Sequence, residues 1–164
     1  MLRKITSALF LIGLIFGIGY FFYNRYRVAP DVVYSRIKAT DLDGNAFRFD
    51  NSTGKSHIIL FFATWCIDCR RELPILEQQT QLLNELGIDV YLLSDESVET
   101  LLGFNPKIKE PFKLLKLQGS FKDNGIYTLP TAYLYCNTGK LHMNKVGAIH
   151  WTPEFIRAFA SNCK

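Results

Sequence analysis

Cys66 and Cys69 stand three positions apart in the run Trp65-Cys66-Ile67-Asp68-Cys69-Arg70. An apolar stretch, His57 to Trp65, precedes them, and a pattern of helical spacing follows. A CxxC at a strand-to-helix junction puts two thiols at a helix N-terminus. Unpaired backbone N–H groups and the helix dipole stabilise negative charge there. The reactive form of cysteine is the thiolate, so this position favours it. Residues i and i+3 share a helix face, so the second sulfur can reach the first. The chemistry indicated is thiol–disulfide exchange. Half a zinc site is the competing reading, but zinc asks for a second CxxC or paired histidines. His57, His142 and His150 show no such spacing. The residues therefore predict no bound metal and no cofactor.

Other residues are weaker signals. Pro130 stands in Leu129-Pro130-Thr131, just before a strand pattern. Proline there is commonly a loop residue. In a redox protein it could also be cis and lie beside the thiols, offering backbone groups to an incoming chain. Asp95 and Glu96 end a strand next to the one that leads to the CxxC, where carboxylates can approach the site; a solvated loop is the alternative. Cys136 closes one strand of a hairpin and Cys163 closes the last helix. A structural disulfide between them is geometrically open, as are two buried free thiols. Gly54-Lys55-Ser56 looks like the tail of a phosphate-binding loop. It lacks the required upstream glycine, with Phe49 in that place, and it precedes a strand instead of following one.

The elements that must position the thiols follow from periodicity. Short strands are expected at Tyr34 to Lys38 and Ala46 to Phe49, joined by the turn residues Asp41 to Asn45 with Gly44 free to take positive φ. His57 to Ala63 reads as a strand buried on both faces. Cys66 to Leu86 reads as one helix kinked at Pro74 and closed by Gly87. Ile88 to Leu93 is the next strand, so strand, helix and strand form a parallel β-α-β unit. Ser97 to Phe104 and Ser120 to Asn124 suggest short helices. Asn105 to Leu117, with Pro106 and Pro111, has no clear period. Thr131 to Tyr135 and Leu141 to Val146 flank Asn137-Thr138-Gly139-Lys140 as a hairpin. Thr152 and Pro153 supply the N-cap and first position of a last helix.

The chain has 164 residues, enough for one domain with a real core and too few for two ordinary ones. Its net charge of +4 is spread without a basic stripe, which argues against nucleic-acid binding. Four cysteines in a chain that is 48% hydrophobic do not describe a disulfide-stapled miniprotein. Ile5 to Tyr23 carries no charge. As a helix it spans about 28 Å, close to the hydrocarbon thickness of a bilayer. Arg3 and Lys4 precede it, Arg25 and Arg27 follow, and Tyr20, Tyr23 and Tyr26 suit an interfacial belt. A cleaved signal peptide is the alternative, but the run is long and no small-x-small cleavage site follows it directly, so residues 1–27 are expected to be an uncleaved single-pass anchor in contact with lipid through residues 5–23. Residues 28–164 are expected to form the folded domain, after a short linker containing Pro30. The flanking charges nearly balance and give no orientation.

FFATWCIDCRRELPIL resembles the active-site segment of the TlpA/ResA-like thioredoxin-fold proteins. DLDGNAFRF is similar to their N-terminal β-hairpin, TLPTAYLY to their cis-proline segment and NTGK to their last hairpin turn. The stretch Ser94 to Lys116 stands where they carry an insertion. The resemblance covers about residues 34–162. It implies a thioredoxin-like α/β fold: a central mixed sheet flanked by helices, with the N-terminal hairpin and central insertion. It also implies Cys66 as attacking thiol, Cys69 as resolving thiol, and Glu96 as an acidic helper. Trp65, Leu129 and Pro130 would form the substrate surface, with Pro130 cis. The implied setting is the bacterial inner membrane, with the domain on the periplasmic or extracytoplasmic side. The implied partners are a disulfide-containing protein, apocytochrome c among the candidates, and a membrane electron donor. Two features depart from the family. Ile67 and Asp68 replace the frequent prolines between the cysteines, and Leu60 stands where thioredoxin has a buried aspartate. Cu(I) delivery by the same two cysteines is the alternative. A peroxidase of this fold is a third reading, disfavoured by Trp65 and the CxxC.

Overall fold

A computed structural model of the chain describes residues 2–27, 29, 36–49, 54–104 and 109–163. Helix α1 runs Leu2–Arg27. A seven-stranded sheet then builds the domain in the spatial order β2-β1-β5-β4-β3-β6-β7. Its strands are β1 (Ala39–Thr40), β2 (Ala46–Phe47), β3 (Ser56–Phe61), β4 (Ile88–Ser94), β5 (Phe112–Leu117), β6 (Thr131–Tyr135) and β7 (Leu141–Val146). The helices are α2 (Ile67–Glu77), α3 (Thr80–Glu85), α4 (Val98–Phe104) and α5 (Pro153–Asn162). A 3-10 turn covers Lys122–Asn124.

The expected central strands lie at the centre of this sheet. Every residue of β3 and of β4 is buried, as unbroken apolar runs require. β3 pairs in parallel with β4 and antiparallel with β6, so the sheet is mixed. The hairpin β1–β2 joins through β1 and β5. Its turn is held by Asp41, whose Oδ1 accepts from Asp43 N at 3.0 Å and Asn45 N at 2.8 Å. Gly44 takes a φ of 88° there.

Four details differ from the expectation. The first strand begins at Ala39, because Arg36 to Lys38 make no ladder; Tyr34 lies outside the described residues, as does Pro30 of the linker. The stretch without clear period contains β5, parallel to β4. Its Lys113 and Lys116, half-buried and on opposite faces of the strand, interrupt the apolar run, while Pro106 lies outside the described residues. The expected single helix is two. Gln79 N–H turns to the Leu76 carbonyl at 3.0 Å, a tighter bond than the helical one. The Thr80 hydroxyl takes the Glu77 carbonyl. A hydroxyl competing for backbone groups opens the helix there, five residues past Pro74. Finally, Ile5 to Tyr23 is helical within α1, but among the described residues no helix is long and apolar enough to cross a membrane.

Gly87 closes α3 with a φ of 65° and has open space around its missing side chain. Gly103, within α4, also faces open space but has no positive φ. The same substitution should therefore act with opposite sign. Gly87→Ala is expected to destabilise by about 1–2 kcal/mol. Gly103→Ala should stabilise by up to about 1 kcal/mol. Urea unfolding of both variants checks the pair.

Candidate redox site

β3 delivers the chain to the sheet edge. Phe62 N–H continues the ladder to the Leu93 carbonyl at 3.0 Å, and the chain then turns, with Cys66 N–H bonding the Ala63 carbonyl at 3.1 Å. Cys66 is the N-cap of α2, with extended φ and ψ of −76° and 114°. Its sulfur accepts from Cys69 N–H at 3.2 Å, and its carbonyl accepts from Arg70 N–H at 3.0 Å. The two cysteines are bonded to each other, with Cα atoms 5.3 Å apart. They are not equivalent. Cys69 is 0% exposed and Cys66 7%, while Trp65 beside them is 68% exposed.

Cys66 opens onto a groove of about 560 Å³ that Trp65, Phe121, Tyr127 and Leu129 also line. The Leu129–Pro130 bond is cis, as the resemblance implied. Pro130 is buried, and Leu129 is the residue of the pair that lines the groove. Register explains why the two segments meet: Thr131, the first residue of β6, lies opposite Phe61, the last of β3.

Among the described residues, the side-chain bonds of Glu96 run to Thr64 and Ser94. Its carboxylate accepts from Thr64 N–H at 2.7 Å, from the Thr64 hydroxyl at 2.7 Å and from the Ser94 hydroxyl at 3.1 Å. These bonds fix the turn two residues before Cys66, so in this geometry Glu96 is bound to the approach of the site. Asp95 does border the groove. Its side chain accepts from Phe121 N–H at 2.9 Å and so anchors the opposite wall.

The carboxyl group in the helix core is one the sequence reading missed. Glu72 lies on α2 three residues past Cys69 and is 2% exposed, so it shares the buried face of Cys69. Its Oε1 accepts from Trp151 Nε1–H and, at 3.2 Å, from Ile149 N–H. Its Oε2 has no hydrogen-bond partner among the described residues. Burial pushes its pKa up to about 7, against the lowering effect of the Trp151 and Ile149 bonds. A signal was available: a glutamate at the edge of the apolar face set by Cys69, Leu73 and Leu76. Cys136 and Cys163, left open as a pair, are bonded to each other.

A CxxC capping the helix after a central strand, with a cis-proline opening the neighbouring antiparallel strand, is the arrangement of the thioredoxin-like fold. Residues 28–141 match the AhpC/TSA family, and the chain belongs to it. It is 26% identical over 152 residues to the thiol-disulfide oxidoreductase ResA of Bacillus thuringiensis subsp. konkukian, covering 85% of each chain. It is 24% identical to the ResA of Geobacillus thermodenitrificans, covering 99% of this chain and 97% of that one. Among solved structures, a thiol:disulfide interchange protein from Bacteroides sp. superposes with a TM-score of 0.64 at 22% identity, covering 83% of this chain and 91% of that one. One from Chlorobium tepidum gives 0.60 at 19% identity, covering 83% and 99%. These two share the fold.

The raised pKa of Glu72 makes stability depend on pH. Its folded value, about 7, lies above its ordinary value of 4.5. The folded state therefore binds the proton more tightly, and its advantage is complete below about pH 4.5 and lost as pH rises through about 7. The loss should be on the order of 3 kcal/mol. Unfolding midpoints from pH 4.5 to 8 should fall for the parent chain and stay nearly level for Glu72→Gln. A parallel fall in both would remove Glu72 as the source.

Proposed function

We propose that the chain is a thiol–disulfide oxidoreductase that reduces disulfides in exported proteins. One observation carries the reading: a Cys66–Cys69 disulfide at a helix N-terminus, with Cys66 on the rim of an apolar groove and Cys69 sealed beneath it. In the reduced form the Cys66 thiolate attacks one sulfur of a partner disulfide. A Cys66–partner disulfide forms, and the other partner sulfur leaves as thiolate and takes up a proton. Cys69 loses its proton and attacks the Cys66 sulfur. The second partner thiol is released and the bond seen in the structure is restored, two electrons and two protons having passed to the partner. Glu72, buried one turn beyond Cys69 with a pKa near neutrality, is placed to exchange that proton through water.

The reductive direction is the one the family resemblance implies. Asp68, between the cysteines, disfavours the thiolate, whereas Arg70, Arg71 and the helix N-terminus favour it. The less the thiolate is stabilised, the stronger the dithiol is as an electron donor. Within exported substrates, the haem-free form of cytochrome c is the narrower reading that the family resemblance suggests. α1 is read as the membrane anchor. Its residues 5–23 carry no charged side chain, and an uncharged stretch of that length is what supports the reading. The domain would then face the extracytoplasmic side of a bacterial inner membrane, where a membrane electron donor resets the pair.

The purified domain should reduce insulin with dithiol as donor, and Cys66→Ser should abolish that activity. Cys69→Ser should accumulate mixed disulfides that mass spectrometry can identify in membranes. The Cys66–Cys69 potential should lie nearer about −270 mV than about −120 mV. A value at the oxidising end would overturn the reductive direction. Resistance to alkaline extraction, lost on deletion of residues 1–27, checks the anchor.

A further inference from the structure

The second disulfide has an unexplained neighbour. Cys136 follows β6, Cys163 closes α5, and His142 lies on β7. Their ligand atoms all fall within 4.8 Å of one another. The histidine is there by construction of the sheet. Leu134 pairs with Met143, but Tyr135 pairs with Leu141, so His142 is the extra residue of a bulge. A bulge re-aims a side chain, and a regular ladder would have placed residue 142 opposite a partner. The imidazole also packs against Phe159, at 5.5 Å between ring centres. Phe159 lies on α5 one turn before Cys163. The two sulfurs are shielded, with Cys136 8% and Cys163 6% exposed, while His142 is open to solvent. The hairpin holds Cys136 firmly: its N–H bonds the Lys140 carbonyl at 2.9 Å, and its carbonyl accepts from Gly139 N–H at 2.8 Å.

We propose that Cys136, Cys163 and His142 form a redox-gated site for a thiophilic d10 cation, best matched by Zn²⁺, which binds when this disulfide is reduced. A dithiol donor gives two electrons and two protons, the Cys136–Cys163 bond breaks, and the donor becomes a disulfide. Zn²⁺ then displaces the two thiol protons and takes two sulfurs and one imidazole nitrogen, with water as fourth ligand. At Zn–S bonds of about 2.3 Å, tetrahedral thiolates stand about 3.8 Å apart, so the two sulfurs, bonded in the structure, must separate on reduction before the cation seats between them and the imidazole. Exchange with an incoming disulfide returns the Cys136–Cys163 bond: the incoming disulfide takes the two electrons, is released as two thiols after taking up two protons from solvent, and the cation leaves.

This site is separate from the CxxC. β6 runs from Thr131, opposite Phe61, to Tyr135, opposite His57. Cys136 therefore lies roughly 16 Å along the strand from the redox end, beyond direct exchange. Spacing in the chain concealed the group, since 21 residues separate His142 from Cys163 and the three ligands come from three elements.

The test uses the full chain carrying Cys66→Ser and Cys69→Ser, so that Cys136 and Cys163 are the remaining thiols. Because the proposed exchange chemistry is already absent from this chain, failure here leaves the oxidoreductase reading untouched. After reduction with a phosphine and its removal, Co²⁺ should give the visible bands of a tetrahedral thiolate complex, and Zn²⁺ should displace it at one ion per chain. The oxidised chain should bind none. His142→Ala should weaken Zn²⁺ at least about tenfold, the lower end of what loss of even an outer-shell partner costs. Should reduction loosen the fold, Zn²⁺ should raise the unfolding temperature of the reduced chain and protect Cys136 and Cys163 from alkylation. Absence of stoichiometric metal, absence of protection, or a His142→Ala affinity equal to its parent's would each overturn the proposal. Tighter Cu⁺ than Zn²⁺ binding with the same His142 dependence would keep the site and change its occupant.

Discussion

The central ladder of β3, bonded to β4 on one side and β6 on the other, is the constraint on which the site depends. Six consecutive buried residues leave β3 no slack in register, because a slip by one residue turns every side chain to the opposite face. With the register fixed, Phe61 lies beside Leu93 on one flank and Thr131 on the other. The chain must leave the sheet at that point. Three things then converge without separate design: the turn into Cys66, the acidic end of β4 at Asp95 and Glu96, and the cis Leu129–Pro130 bond. The helix begins where the strand ends, so its N-terminus, with the charge preference that goes with it, faces the groove.

The three carboxyl groups around this edge divide the work by environment. Glu96 accepts hydrogen bonds from Thr64 and Ser94 and holds the approach to Cys66. Asp95 ties the far wall of the groove to β4 through Phe121. Glu72 is shut into the core, where two N–H groups address one of its oxygens and leave the other without a partner. Burial there raises the Glu72 pKa to about 7. A carboxyl that is neutral and charged in comparable amounts can give or take a proton at little cost. Leu60, in place of a buried acid on β3, is therefore no deficit, since the proton-carrying function can be supplied from the helix side of the cysteines.

Much of this was readable in the residues because it rests on local chemistry. The apolar runs of β3 and β4, the Asp41 turn, the Thr152 N-cap and the Cys66 junction are each decided by neighbours a few positions away. The failures share the opposite character. β5 was obscured because Lys113 and Lys116 interrupt its apolar pattern while Phe112, Leu114, Leu115 and Leu117 still reach the core. The break at Gln79 depends on the Thr80 hydroxyl choosing a backbone carbonyl. Glu96 was placed at the correct edge, but its partners could not be known, since Thr64 is thirty-two residues away in the chain. Glu72 needed Trp151, which only the loop after β7 brings to it.

The two disulfides show how position decides chemistry for the same bond. Cys66–Cys69 closes a loop of two residues at a helix N-terminus, beside a groove that can admit a partner chain. Cys136–Cys163 joins elements 27 residues apart at the other end of the sheet, where hairpin and helix cover it. The first is arranged for access and the second for enclosure. Enclosure alone would make the second bond inert, yet a bulge turns an imidazole towards it from the solvent side. A histidine beside a cysteine favours the thiolate, the form that both exchange and metal binding require. That geometry gives the distal pair a chemistry of its own, independent of the groove.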